Sequence, residues 1–343
     1  METTKCLLCG KIASLVQADY PGYQQPQTFR IYSCPSCNTN FSIPRRDASR
    51  LYDIIYLQRE DHPKYDRYWK YARDVKDTAD PLGYLAKSEP TYFGVVDFLN
   101  GKKISRNSRI LEVGSGLGYL TYALRKSGYD AIGIELSKIA IEEAIHNFGD
   151  YYINVDLFDY AKKNQSYFDV VLSTEVIEHI EDPIHFIKAM LQLLRPNGYL
   201  VLTSPNKSFF PKEMLWDSTL PPIHCWWFSE ESMEYIARRL DIKCEFVNFS
   251  SFFNKEILCW KSEYCKNMPL PQPVLDVEGR IITTDTEIDN KGERPTIKKV
   301  MKQLLGTAGL KYMHKYFMRY NKEYIFAGKK CHYICAIFRN TAV

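Results

Sequence analysis

From Ser108 onward the chain alternates between two kinds of hydrophobic pattern. Short apolar runs, "RILEV", "YDAIGIE", "YYINV", "FDVVLS", "GYLVLTS" and "IKCEFVNF", have the length and β-branched content of buried strands. Between them, "YLTYALRKS", "SKIAIEEAIHNF", "PIHFIKAMLQLL" and "SEESMEYIARRL" place apolar residues three and four apart, the period of a helix with one buried face. Strand–helix alternation with short connections predicts a parallel sheet covered by helices on both faces. Asp182 before Pro183 reads as an N-cap and first helical residue, and Pro196-Asn197-Gly198 reads as closing that helix.

The flanks depart from this rhythm. Residues 1–43 hold two short knuckles, "CLLCGK" and "CPSCNTN", around the strand-like "QTFRIYS". A tyrosine-rich stretch follows, in which Tyr65, Tyr68, Trp69 and Ala72 fall on one helical stripe, either a packing face or a lid over a pocket. "TADPLGYLAKSEPTYFGVVDFLNG" predicts a second helix ending near Gly101. Residues 250–328 are loop-like, then helical and basic through about Asn321, and "CHYICAIFR" supplies a last strand expected to return antiparallel. The expected division is a ribbon module (1–43), a helical lid or linker (44–107), an α/β core (108–249), an insertion with basic helices (250–328) and the final core strand (329–343).

Composition changes this picture little. At 45% hydrophobic, 25% charged and net +4, the chain reads as soluble and globular. No apolar run approaches the roughly 18 residues of a membrane span, and the first residues lack a signal-peptide core, so a cytoplasmic location is expected. Charge is uneven: twelve Lys/Arg face two acids between Lys291 and Val343, either a solvated face or a contact for phosphates.

Ten cysteines include two CxxC pairs, Cys6/Cys9 and Cys34/Cys37, with the other six scattered. Four thiolates at that spacing suit a tetrahedral structural zinc, which a module of about forty residues needs in place of a large core.

The most informative stretch is "RILEVGSGLGYLTYAL". A strand ends at Val113, and Gly114, Gly116 and Gly118 carry the chain into a helix, as a loop does that lets a ligand approach its backbone. The spacing is GxGxG, and Glu112 just before it would repel a pyrophosphate; a carboxylate there suits a cationic ammonium instead. Glu135, nineteen residues after Gly116, lies where an acid accepts ribose hydroxyls. Asp156 closes the third strand, placed to take an adenine amino group, with the Leu157 N–H reading the ring. Amine, ribose and adenine in that order describe S-adenosylmethionine.

With "LEVGSGLG", "GIELS", "NVDLF", "FDVVLSTEVIEH" and "LLRPNGYLVLTSPN" in order, the sequence closely resembles the class I S-adenosylmethionine-dependent methyltransferases over about residues 84–249. The resemblance implies a Rossmann-like seven-stranded sheet with its last strand antiparallel. It also implies cofactor contacts from Glu112, Gly114, Ser115, Gly116, Gly118, Glu135, Leu136, Asp156, Leu157 and Glu175. Nicotinamide chemistry, or a cofactor-binding scaffold without turnover, are the alternatives.

Behind the fourth strand, "TEVIEH" brings Glu175, Glu178 and His179 to the expected reaction centre. Glu175 could contact cofactor or backbone while Glu178 and His179 shape the loop; alternatively His179 could be a general base for a substrate hydroxyl, its ordinary pKa near 6.5 suiting the task. The three could also hold Mg or Mn. "ExxEH" is similar to the metal motif of small-RNA 2′-O-methyltransferases and of ubiquinone-pathway O-methyltransferases, and His224 in "PPIHCWWFSEESM" stands where the RNA enzymes add a ligand. His179, Glu178 and His224 are thus the expected catalytic set. The CxxC ribbon before a tyrosine-rich helix resembles bacterial zinc-ribbon methyltransferases associated with sugar and polysaccharide biosynthesis. A sugar-like small-molecule hydroxyl is therefore the first expectation for the acceptor, with Trp216, Trp226 and Trp227 either stacking on it or anchoring a lid. RNA 2′-O-methylation is the alternative.

Overall fold

The computed structural model describes residues 2–58, 62, 65–209, 220–252, 259–261, 270–282, 324–326 and 331–339. Its first unit is an antiparallel sheet of β1 (Thr3–Lys5), β2 (Ile12–Pro21), β3 (Thr28–Cys34) and β4 (Thr39–Ile43). The two knuckles turn through left-handed residues, Gly10 at φ 72° and Asn38 at φ 50°, just after each cysteine pair. Glycine and asparagine tolerate that region best, which is why they stand there.

Four helices link this sheet to the core: α1 (Ser49–Gln58), α2 (Asp66–Asp74), α3 (Pro81–Ser88) and α4 (Pro90–Gly101). The single helix expected over 78–101 is therefore two. Pro90 forces Glu89 into an extended conformation, φ −142° and ψ 149°, and the chain restarts with proline at the first helical position. Asp80 caps α3 by accepting from the Gly83 N–H at 2.9 Å, a contact worth about 1 kcal/mol.

The core follows in order: β5 (Arg109–Val113), α5 (Tyr119–Lys126), β6 (Asp130–Glu135), α6 (Lys138–Phe148), β7 (Tyr152–Asn154), α7 (Leu157–Lys163), β8 (Phe168–Thr174), α8 (Pro183–Leu193) and β9 (Leu194–Pro205). After the short β10 (Trp226–Trp227) come α9 (Glu230–Leu240) and β11 (Lys243–Phe246). A two-stranded pair, β12 (Cys259–Lys261) with β13 (Tyr324–Phe326), precedes β14 (Tyr333–Arg339). The seven-stranded sheet runs β11-β14-β9-β8-β5-β6-β7, and β14 is antiparallel to both neighbours, as expected. Its central strands are buried on both faces, in keeping with their unbroken apolar runs.

One further expectation is corrected. Pro196-Asn197-Gly198 does not form a separate turn after α8: the chain leaves the helix at Leu193 and enters β9 directly, with Asn197 left-handed at φ 64° and a register irregularity opposite Phe168 and Val170. Residues 1–43 lean on the neighbouring unit. β10 pairs with β4, placing Trp226 opposite Phe41, and Cys6, Cys34, Cys37 and Phe41 share one buried cluster with Leu111, Val171 and Phe186 of the core. A sheet this small buries little apolar surface alone, so it borrows the core's. The basic helical stretch and Trp216 lie outside the described residues.

Candidate functional site

Open α/β sheets bind ligands beyond the carboxyl ends of their strands, where loops leave a crevice. Here that edge opens into a cavity of about 1110 Å³. Ordinary small-ligand sites occupy roughly 300–1,000 Å³, so there is room for a cofactor and a second molecule.

One end is built from β5, β6 and the loop after β7. Gly114 sits at φ 75°, where a Cβ would come within 2.6 Å of Val176. Gly116, at φ 48°, would meet only the Tyr56 hydroxyl, at 3.4 Å. Both line the cavity with Ser115. Gly118 does not: its left-handed backbone starts α5, and its missing side chain makes room for Ala144 and Tyr152, so its role is packing rather than ligand contact.

Three carboxylates stand where expected. Glu112 is buried, accepts from the Thr121 hydroxyl at 2.5 Å, and has its pKa pushed up to about 8 by burial. Glu135 is held by two backbone N–H groups, Gly116 at 3.0 Å and Ser137 at 2.9 Å, which tie the acid to the glycine loop. Asp156 accepts from the Phe158 N–H at 2.8 Å and so caps α7, a helix with no counterpart among the expected elements. Leu136 is 69% exposed beside Glu135, and Leu157 is buried at the start of α7; both face the cavity.

The other end gathers side chains from distant segments. Glu175 has φ 57°, a left-handed conformation for a non-glycine residue, and turns its carboxylate toward the hydroxyls of Thr203 (3.1 Å) and Thr91 (3.3 Å). Burial and the neighbouring Glu178 raise its pKa. A short 3₁₀ turn over Ile177–His179 carries Glu178 inward. Glu178 is fully buried, its Oε2 accepting from Ser204 at 3.1 Å and its Oε1 without a hydrogen-bond partner, 3.9 Å from His224 Nε2. Burial raises its pKa to about 8.

Glu178, His179 and His224 offer ligand atoms within 4.8 Å of one another; Glu175 is not among them, so the expected four-residue divalent set is corrected to three. Among these, His179 and His224 line the cavity, while Glu178 is fully buried and is not one of the lining residues.

His179 is closely surrounded in the fold. Its Nδ1 lies 2.8 Å from the Ile223 carbonyl and 2.9 Å from the Tyr52 hydroxyl, and its Nε2 lies 3.0 Å from the Glu175 carbonyl. Burial lowers its pKa to about 4, away from the ordinary value near 6.5. The neutral ring has one N–H to donate to a carbonyl, and Nδ1 can accept from the Tyr52 hydroxyl.

Several wall residues carried no local motif. Tyr52 and Tyr56 of α1, Tyr65 just before α2, and Tyr68 and Trp69 within it face the cavity, whereas Tyr71, Ala72 and the body of Trp69 pack inward; the aromatic stripe serves as packing face and wall at once. Tyr333 of β14 and Arg45 after β4 complete the enclosure. Trp226 and Trp227 are each 2% exposed, pinned in β10, so they anchor the loop rather than stack on a ligand.

Away from the cavity, Cys6, Cys9, Cys34 and Cys37 offer sulfurs within 4.8 Å of one another. Cys6–Cys37 and Cys9–Cys34 lie 3.7 and 3.5 Å apart. A disulfide needs about 2.05 Å, and separations near those seen suit four sulfurs each about 2.3 Å from one ion.

The sheet order is that of a Rossmann-like methyltransferase fold. Residues 84–245 match the family model described as a methyltransferase domain. Among curated proteins, the chain is 28% identical over 162 residues to a ubiquinone biosynthesis O-methyltransferase of Hydrogenovibrio crunogenus, covering 46% of this chain and 66% of that protein. It is 31% identical over 148 residues to the enzyme of the same name in Vibrio vulnificus (strain YJ016), covering 41% and 59%. The chain thus spans between about half and two thirds of the length of such relatives. A solved structure of an S-adenosylmethionine-dependent methyltransferase from Thermotoga maritima aligns at TM-score 0.43 and 14% identity over 84% of this chain and 99% of that one. One from Archaeoglobus fulgidus aligns at 0.39 and 16% over 71% and 92%. No helix among the described residues is long and apolar enough to cross a membrane.

Proposed function

We propose that this protein transfers a methyl group from S-adenosylmethionine to a hydroxyl of a small polar acceptor, a sugar or a related polyhydroxylated metabolite. The observation that carries the reading is one continuous cavity with the glycine loop and three carboxylates at one end and Glu175, His179 and His224 at the other. The residues fit the cofactor. Glu112 is a buried carboxylate with a single side-chain donor, Thr121, and a cationic ammonium would offset the cost of its charge. Glu135 is pinned by the loop it must align with, ready to accept ribose hydroxyls. The cofactor supplies an electrophilic methyl on a sulfonium; the chain's task is to orient the acceptor oxygen toward it and exclude water. Tyr52, Tyr56, Tyr68 and Tyr333 close the walls for that purpose.

The orphaned Glu178 Oε1, buried beside two imidazoles, suits a divalent cation such as Mn or Mg. Glu178, His179 and His224 would hold it, one nitrogen of His179 giving up its carbonyl contact. When bound, such a cation lowers the pKa of a coordinated hydroxyl. The four thiols would hold a structural zinc.

The O-methyltransferase relatives support transfer to oxygen. Acceptor walls drawn from α1, α2, β14 and the 220–225 loop favour a compact molecule over an RNA chain. Incubation with methyl-labelled cofactor and a panel of hexoses, nucleotide sugars and small RNAs tests this. Label is expected in an alkali-stable ether of a sugar; label in RNA alone would overturn the acceptor assignment.

A further inference from the structure

Arg45 lines the cavity two residues after β4. Its guanidinium carbon stands 4.2 Å from the centre of the Trp226 ring. Nε, Nη1 and Nη2 are all shielded from solvent, and none has a hydrogen-bond partner among the described residues. Burial pulls the pKa of the group down, the direction expected of a cation without an anion.

A guanidinium is effectively always charged and carries five donors in a fixed fork. Left unpaired away from water, it is among the most costly arrangements a fold can hold. Among the described residues no carboxylate pairs with it, and its polar neighbour is the neutral Cys225 thiol. Glu181, whose field reaches Arg45, is exposed and forms no ion pair with it. The Cys225 thiol beside it donates to the Pro222 carbonyl at 3.2 Å. Asp47 is occupied by the backbone and hydroxyl of Ser49, at 3.0 and 2.6 Å. Arg46, also on the wall, adds a second positive charge over the Phe29 ring.

The position is held firmly. The Trp226 indole N–H donates to the Ile180 carbonyl at 2.7 Å, and the ring stacks on Phe228 at 5.6 Å. Ile180 follows His179 in the chain, and Cys225 follows His224, so Arg45 packs against the segments that carry the two imidazoles, in the same cavity. The far end of the same cavity is acidic, with Glu112, Glu135 and Asp156. One cavity therefore offers carboxylates to a cation and a waiting guanidinium to whatever lies next to it.

We propose that Arg45 is the anion receptor of this site and that the acceptor carries an oxyanion, a carboxylate or a phosphate, paired with its guanidinium fork. The proposal rests on the reading of the cavity as a methyl-transfer site and narrows its acceptor to anionic polyhydroxylated compounds, uronates or sugar phosphates. Carboxylate and phosphate both match two parallel N–H donors. Pairing requires the fork to turn from Trp226 toward the cavity as the acceptor enters.

Thermal stability of the cofactor-loaded full chain tests this without turnover. Galacturonate is compared with galactose, and galactose 1-phosphate with galactose, at constant ionic strength, in the wild type and in Arg45→Met. One charged ligand is expected to raise the wild-type Tm by several degrees, neutral galactose by less than one, and the variant to lose the charged increment. Which ligand acts distinguishes carboxylate from phosphate. Arg45→Met alone should melt at or above the wild-type temperature, because a buried unpaired charge has gone. Under turnover with labelled cofactor, kcat/KM should favour the charged member of the effective pair by about a hundredfold in the wild type and by less than threefold in Arg45→Met. Equal Tm shifts in both proteins, or none from either charged ligand, would overturn the proposal. Failure of the methyltransferase reading looks different: the protein then shows no Tm shift with S-adenosylmethionine itself.

Discussion

The two ends of the cavity are made in opposite ways. The cofactor end comes from consecutive strands and their loops, residues 112–118, 135–137 and 155–158, and Glu135 and Asp156 are fixed by backbone N–H groups within those segments. The acceptor end is assembled from residues 45–56, 65–69, 174–181, 222–225 and 332–333, which meet only in the folded chain. Its loop at 222–225 runs into β10, which adds to the cysteine-bearing sheet. Hydrogen bonds reinforce that joint: Ser232 donates to the Cys37 carbonyl at 3.1 Å, and Lys207 to Asn38 Oδ1 at 2.7 Å. A local device can be copied between proteins as a unit, whereas an assembled one depends on every part that touches it. The sheet of the cysteines thus belongs to the acceptor end although no cysteine of the cluster lines the cavity.

That contrast can be broken most forcefully at Cys34. Cys34→Ser should abolish the bound zinc, one per chain in the wild type by elemental analysis, because binding free energy of such sites is largely folding free energy, on the order of 10 kcal/mol. Methyl transfer should fall by at least about a hundredfold while S-adenosylmethionine still binds. Equal loss at both ends would mean that the ends are not separately built.

Glu135→Ala strikes only the local end. Cofactor affinity measured by calorimetry should drop by about a hundredfold, some 2.8 kcal/mol at about 1.4 kcal/mol per tenfold. An unchanged Kd would remove the ribose assignment.

Glu112 is expected to act through pH rather than through a single loss. Its pKa rises on folding from near 4.5 to about 8, so the folded state holds the proton more tightly. The contribution is full below pH 4.5 and is lost as pH rises through 8, with a slope of at most about 1.4 kcal/mol per pH unit. Denaturant melts of the cofactor-free protein across pH 5–8 should flatten by that slope in Glu112→Gln; parallel curves would contradict a buried protonated carboxyl.

The mildest change sharpens the acceptor end. Glu178→Gln keeps the shape of a carboxyl that burial already holds largely neutral near pH 7, so cation-free stability should move by no more than about 0.5 kcal/mol. Mn binding, followed by electron paramagnetic resonance, should nonetheless disappear. Retained Mn affinity would exclude Glu178 as a ligand.

Legibility in the sequence follows the same divide. The strands, the glycine loop and the acids at 112, 135 and 156 were readable because periodicity and spacing encode local structure. The left-handed Glu175 left no signal, since its conformation follows from the β8–β9 contacts, where its N–H donates to the Thr203 carbonyl at 3.2 Å. Nor did Arg45 or Tyr52, which reach the site only through tertiary packing. His179 was suggested by its residue type alone, and the two carbonyls and buried phenol around it come from the fold. The break at Glu89 was readable from Pro90 alone.

The central claim is that the acidic edge of this sheet holds a sulfonium nucleoside. Titration of the full chain with S-adenosylmethionine and, separately, with NAD tests it most directly by calorimetry. One S-adenosylmethionine per chain, with no heat from the dinucleotide, is the predicted result; silence with the first ligand, or tighter binding of the second, would contradict it.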